Sequence, residues 1–453
     1  MAALLDQIKT IIEEFKDIQA KPQPYWEKDD QLLLPRMIAT GDGGSIIVSR
    51  KIDKAIAVVA DQLMSIDQRL ARTFIRSEWR ALVRRAFGPV LAIIDLDADV
   101  AHNAALVRSK ITATIRNQIP DREPCEYAFG CTLFDNVIMR PFAIGPVRFE
   151  SRLDWLARKH HEGNVSTATR RRVEKIWLGK QLRKRKVSYD SIAERDLLEA
   201  IHGGSFVCSV STSGLAAEAG LEKALTAARL AMAAIALLWR NSSQVLTGMN
   251  LVFDRRPHSQ VSLVYIPGKV VTAGLRLSHM PHGPWMADGQ WERLFEGRSD
   301  HFQIVGQILE YVLSPSGVVR RGRMMNTLAQ ALLWFHEGCR EGVSLMAIVK
   351  YSAVLDALAC GGKAEGIRKL MNARLGLQDN MPIWPNGPTL KQAIEDIYSD
   401  GRSRTIHGTS NKLGHDWTEI RGLAEHFSQL CLSACFDWVL KNPSSDSPKE
   451  LSR

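Results

Sequence analysis

Apolar residues recur every three or four positions through most of the last third of the chain. Phe302, Val305, Leu309 and Val312 form one series, Met325, Leu328, Leu332, Phe335 and Cys339 a second, and Leu345, Ile348, Ser352, Leu355 and Ala359 a third. This is the period of a helix with one buried face, and it predicts three amphipathic helices joined by short turns. Gly and Pro punctuate the stretch from Met381 to Pro388, after which Leu390, Ile394 and Ile397 predict a shorter helix. Trp417, Ile420, Ala424, Phe427, Cys431, Ala434 and Trp438 then mark a long one, with Asp416 and Glu419 placed as a capping box. The expected unit is an antiparallel helical bundle over residues 300–440, followed by a flexible tail at 441–453.

The same period is present near the start, in Leu5, Ile8, Ile12 and Phe15 and again in Ile56, Val59 and Leu63. Residues 1–119 are therefore expected to be helical. From 120 to 290 the pattern is mixed. Val137-Ile138-Met139, Phe142-Ala143-Ile144, Phe206 to Ser211 and Val261 to Ile266 are short runs that predict strands, and Pro267-Gly268 supplies a turn. The expected fold class is α+β, mainly α, with a small β-sheet and N-terminal helices preceding the helical bundle.

Composition narrows the class. With 45% hydrophobic and 24% charged residues over 453 positions, the chain is neither disordered, collagen-like nor a disulfide scaffold. The longest apolar run, Leu230 to Trp239, is about half of the roughly 20 residues that a bilayer span needs. The first residues lack a basic stretch followed by an apolar one, and Asp6 interrupts them, so a cytoplasmic, non-membrane protein is expected. The seven cysteines are scattered without a C-x-x-C pair, which predicts reduced thiols and no structural zinc; no metal and no cofactor are expected.

The net charge of +10 is concentrated in one place. Arg170, Arg171, Arg172, Lys175, Lys180, Arg183, Lys184, Arg185 and Lys186 lie in one window relieved only by Glu174. Such a cluster neutralises phosphates and releases counterions when RNA binds; it is equally what a solvated helix face looks like. Trp177 within it suits either a stacking platform or a core anchor.

Familiar catalytic signatures fail on single residues. Gly361-Gly362-Lys363 resembles the end of a phosphate loop, but Ala357 replaces the leading Gly and Ala364 the magnesium-binding hydroxyl. His336-Glu337 has Arg340 where a zinc protease needs its second His. Four Arg–His pairs have a spacing of four to six intervening residues: Arg195 with His202, Arg276 with His282, Arg402 with His407, and Arg421 with His426. Of these, only Arg402 with His407 combines a small polar residue after Arg, an Ile-His-Gly ending, a preceding Tyr398 and a bundle around it.

The segment Tyr398-Ser399-Asp400-Gly401-Arg402-Ser403-Arg404-Thr405-Ile406-His407-Gly408 resembles the R-x4-6-H motif of the HEPN superfamily, in particular its Apea-like branch. Tyr351 to Leu358 resembles a second helix of that branch, with Asp356 standing where Glu is expected. The likeness covers about residues 300–440. It implies a metal-independent endoribonuclease in which His407 transfers protons, Arg402 holds the scissile phosphate, and Ser403, Tyr398 and Asp356 support them. RNA carries its own nucleophile, the 2′-hydroxyl, so a proton carrier and a fixed positive fork suffice. The resemblance further implies a homodimer, tRNA or mRNA as substrate, and an antiviral effector role under a phage-derived trigger or inhibitor. The alternative is a non-catalytic module that binds nucleic acid or protein and dimerises through the bundle.

Geometry bears on the pair. Five residues in an ideal helix rotate by about 500°, which leaves the two side chains roughly 140° apart. Either Gly401 and Gly408 bracket a segment that is not regular helix, or the pair is completed by a second chain.

Overall fold

The apolar spacings close into helices in the computed structural model, which describes residues 2–21, 36–118, 124–135, 139–201, 203–254, 259–276 and 283–453. Two units emerge. The first comprises Met1–Cys125 with the returning segments Thr212–Glu222 and Ser314–Gly317, and the second comprises the rest.

In the first unit, helices α1 (Ala2–Gln19), α2 (Arg50–Ile66), α3 (Gln68–Thr73), α4 (Arg76–Leu91) and α5 (Val100–Gln118) surround one core. Ile8, Ile12 and Phe15 of α1 and Ile56 and Val59 of α2 are buried in it, as their spacing predicts, while Leu5 and Leu63 sit at its edge. The hairpin of β1 (Met37–Ala39) and β2 (Ser45–Ile47) was not expected. It lies so close to α4 that a Cβ on Gly88 would stand 2.0 Å from the Ala39 carbonyl oxygen, so only glycine fits there.

The second unit holds the mixed region and the helical bundle together, rather than as the separate domains 120–290 and 300–440. Its strands are β3 (Cys125–Thr132), β4 (Phe142–Ile144), β5 (Val147–Ser151), β6 (Phe206–Thr212) and β7 (Asn250–Leu251), in the spatial order β4-β5-β6-β3-β7. Antiparallel pairing sets Phe142 opposite Phe149 and Phe149 opposite Cys208. A separate hairpin, β8 (Ser259–Ile266) and β9 (Lys269–Arg276), turns at Pro267-Gly268 with Gly268 at φ +77°, the turn predicted from the sequence. Of the expected run Val137-Ile138-Met139, the first two residues lie outside the described residues.

Helices α6 (Arg152–His161), α7 (Thr167–Trp177) and α8 (Tyr189–Ala200) follow β5. From α6, Arg158 reaches Glu126 at 2.9 Å, Glu150 at 2.7 Å and Glu162 at 2.8 Å. Burial alone raises Glu126, but hydrogen bonds from Arg158, Lys159 and Ser209 outweigh it and hold the carboxyl at about 2. The Glu150 side chain is only 2% exposed. Arg158→Met therefore leaves a buried carboxylate with Arg148 as its remaining partner, and is expected to lower unfolding free energy by about 3 kcal/mol in denaturant titrations. The folded-state value of Glu126 lies below its ordinary 4.5, so its contribution is full above that pH and is lost as pH falls through about 2. Wild-type melting temperature should fall across this window, with a shallower slope in the variant.

After α9 (Ala217–Ala236), α10 (Ser242–Gly248) and α11 (Gln290–Gly297) comes the bundle: α12 (Ser299–Leu313), α13 (Gly322–Cys339), α14 (Ser344–Leu358), α15 (Lys363–Leu375), α16 (Leu390–Ile394), a π-helix (Glu395–Ser403), α17 (Arg404–Ile406) and α18 (Thr418–Lys441). Buried Phe302, Met325, Phe335, Ile348, Leu355, Phe427 and Cys431 match the predicted faces. The bundle is joined to the sheet side by buried Arg340, which donates to the Met249 carbonyl at 3.0 Å and to Asn250 Oδ1 at 2.7 Å.

Two expectations are corrected. Asp416 and Glu419 form no capping box, because α18 starts one residue later than expected; Trp417 is its N-cap and Asp416 accepts from the Thr418 amide at 2.9 Å. Residues 441–453 are not a loose tail. Asp446 accepts from the amides of Arg323 and Met324 at the start of α13, Leu451 is fully buried, and Arg374 donates to the Leu451 carbonyl at 2.8 Å. The unmade donors of a helix start supply the attraction that a polar composition conceals. Among the described residues, no single helix is long and apolar enough to cross a membrane.

Candidate active site

The site begins with the packing of α14 on the π-helix. Gly401 is buried there, and a Cβ on it would meet Ile348 Cγ2 at 2.6 Å. The Ser352 hydroxyl, also buried, donates to the Ile397 carbonyl at 3.2 Å. Nine consecutive π-helical residues are unusual, and wide turns of this kind concentrate at functional sites.

This packing holds Arg402 against α14. Its Nη2 lies 3.2 Å from Asp356 Oδ2, its Nη1 donates to the Tyr398 hydroxyl at 2.6 Å, and its guanidinium carbon sits 4.9 Å from the Tyr398 ring centroid. The Arg402 side chain retains 25% exposure, so part of the fork faces solvent. Asp356 Oδ1 is buried and accepts no hydrogen bond among the described residues. One turn further, Asp400 pairs with Arg404 at 2.9 Å and Lys412 at 2.6 Å, while burial and the nearby Asp400 charge raise Asp396 above the usual carboxylate range.

No hydrogen bond joins the motif's two named residues among the described residues. The His407 amide donates to the Ser403 carbonyl at 3.0 Å, and Gly408, at φ +69°, ends the helix. The segment from Arg402 to His407 is helical without being a regular α-helix: the π-helix runs through Ser403, a single α-helical turn at Arg404–Ile406 follows, and Gly401 is buried within the π-helix. Arg402 faces Asp356 while the His407 imidazole is exposed and makes no hydrogen bond or ion pair among the described residues. Ser403 is partly exposed. Asp356, Tyr398 and Arg402 are brought together; His407 and Ser403 are not joined to them within one chain.

The basic segment is partly spent on internal pairing. Arg170 binds Glu174 at 2.7 Å, Arg172 binds Glu194 at 2.8 Å, and Arg185 binds Asp190 at 2.8 Å. Arg171, Lys175, Lys180, Arg183, Lys184 and Lys186 have no such partner among the described residues, and Lys180, Arg183 and Lys184 line an open groove of about 1170 Å³ beside α8. Trp177 packs against the local core with the Arg152 guanidinium 5.2 Å from its ring centroid, which is the core-anchor arrangement.

Of the rival pairs, His202 and His282 lie outside the described residues. Arg421 donates to the Glu341 carbonyl at 2.8 Å, and His426 lines a cavity that the sequence did not signal. Among the described residues, no group of three or more His, Cys, Asp or Glu side chains is arranged to hold a metal. No family model, no curated protein and no solved structure matches the chain.

Proposed function

We propose that the second unit carries a metal-independent endoribonuclease site of the HEPN type, with Arg402 on the scissile phosphate and His407 as the proton carrier. The observation that carries this reading is the fixing of Arg402 by Asp356 and Tyr398, which ties together the two segments that bear the resemblance. A guanidinium held on two sides loses little freedom when phosphate oxygens take its exposed edge, and it is positioned for charge that builds as the pentavalent phosphate forms. An exposed imidazole is free to take the 2′-hydroxyl proton or return one to the departing 5′-oxygen. Ser403 adds a hydrogen-bond donor. The working pair takes Arg402 from one chain and His407 from another, in a homodimer, a reading supported by Arg402 being held on Asp356 while no hydrogen bond or ion pair among the described residues joins the exposed His407 to it.

In this reading the substrate is tRNA or mRNA, the unpaired cations of the 170–186 segment contact its backbone, and the protein acts in the cytoplasm as an antiviral effector under a phage-derived trigger or inhibitor. A second reading, a binding module without catalysis, is favoured by one feature: His407 and Gly408 form an ordinary left-handed helix end. Labelled single-stranded RNA and bulk tRNA, incubated with the purified protein in excess EDTA, separate the two. Fragments ending in 2′,3′-cyclic phosphate support the nuclease. RNA retained intact on the protein, with no growth defect on expression during phage challenge, supports the binding module.

A further inference from the structure

A cavity of about 320 Å³ lies between the C-terminal end of α9, α12 and α18, away from Arg402 and His407. Its walls are apolar, with Leu237, Phe302 and Phe436 among them, but its polar groups have one dominant sign. Arg240 and Arg298 are exposed at its rim and have no ion-pair partner among the described residues. His426 lines the cavity with them. The cavity has a single carboxylate, Asp437, already engaged by His301 Nε2 at 2.6 Å.

A second observation comes from Gln429, whose side chain lines the same cavity and is 8% exposed. Its Nε2 donates to the carbonyls of Leu237 at 3.0 Å and Trp239 at 2.7 Å. Exchanging the amide's ends would set oxygen against two carbonyls, so Oε1 is fixed as an acceptor. That Oε1 is buried and receives no hydrogen bond among the described residues, a state that native interiors rarely tolerate.

We propose that this cavity binds a small phosphate monoester, with the phosphoryl oxygens on Arg240, Arg298 and His426 and the organic part against the apolar walls beside Gln429. Two planar forks and an imidazole offer more donors than a single carboxylate can use, and they suit the three terminal oxygens of a phosphate. The apolar walls accept a compact ring. The volume lies at the lower end of small-molecule sites, enough for a nucleoside monophosphate or a sugar phosphate and too small for a polymer.

Calorimetric titration of the full chain tests this with four probes: AMP, ribose 5-phosphate, inorganic phosphate and adenosine. The phosphate monoesters should bind saturably at one site per chain and adenosine should not. Arg240→Gln and Arg298→Gln should each weaken binding about tenfold, as loss of one charge-assisted contact does, with the fold unchanged by circular dichroism. Lys391→Gln removes an exposed charge outside the cavity and should leave affinity alone. AMP binding tighter than ribose 5-phosphate assigns the ring pocket to a base; equal affinities assign the site to the sugar phosphate. Absence of saturable binding by either monoester overturns the proposal, as does equal affinity in wild type and the Arg240→Gln, Arg298→Gln double variant. Neither result depends on RNA cleavage, so the cavity and the nuclease reading fail separately.

Discussion

His407→Ala is expected to lower RNA cleavage by about two to four orders of magnitude, the range typical of removing a positioned general acid or base. Its melting temperature should hardly move. The imidazole is exposed and bonded to no described residue, and surface changes of that kind stay within about 0.5 kcal/mol. Loss of rate without loss of stability therefore assigns chemistry to His407, whereas an unchanged rate assigns it to the helix end. Arg402 is a less discriminating probe. Arg402→Ala removes the ion pair of Asp356, whose other oxygen is already buried without a hydrogen-bond partner among the described residues, so lost folding and lost chemistry would arrive together. Arg402→Lys keeps the charge but not the fork, and cleavage by this variant should fall while the partner of Asp356 is retained. The measurement is initial cleavage rate on one labelled RNA, alongside thermal denaturation of each variant.

The sequence made the long helices visible because their faces are buried with a regular period, as in Phe335 and Ile348. It did not reveal α15, where Ile367, Leu370 and Met371 give too short a series among charged residues. The three-residue strands β1 and β2 carry no alternation long enough to detect. The charge count over 170–186 was correct, yet its meaning changed. Asp190 and Glu194, which neutralise Arg185 and Arg172, lie on the following helix, beyond any window centred on the run. At the candidate site, the segment around Arg402 was readable as a motif, and Asp356 only through a resemblance. Their contact depends on the wide π turn and on the fit of Gly401 against Ile348, neither of which has a local signature. The cavity around Gln429 was illegible for the same reason: Arg240, Arg298 and His426 come from separate parts of the chain and meet only in the fold.

A site shared between two chains also predicts how damaged chains should cooperate. If each working site takes Arg402 from one chain and His407 from its partner, Arg402→Ala and His407→Ala are inactive alone but complementary when mixed. A mixed dimer retains one site in which both residues are intact and one in which both are lost. Equimolar mixing with free exchange makes about half the dimers mixed, so cleavage should return to about a quarter of the wild-type rate. A site built within one chain recovers nothing on mixing, because every chain then carries a lesion. Subunit exchange itself is checked by mixing tagged Arg402→Ala with untagged His407→Ala and recovering the untagged chain through its partner. Recovery of activity with exchange confirmed requires the two residues to act across the dimer; exchange without recovery means that one chain must supply both.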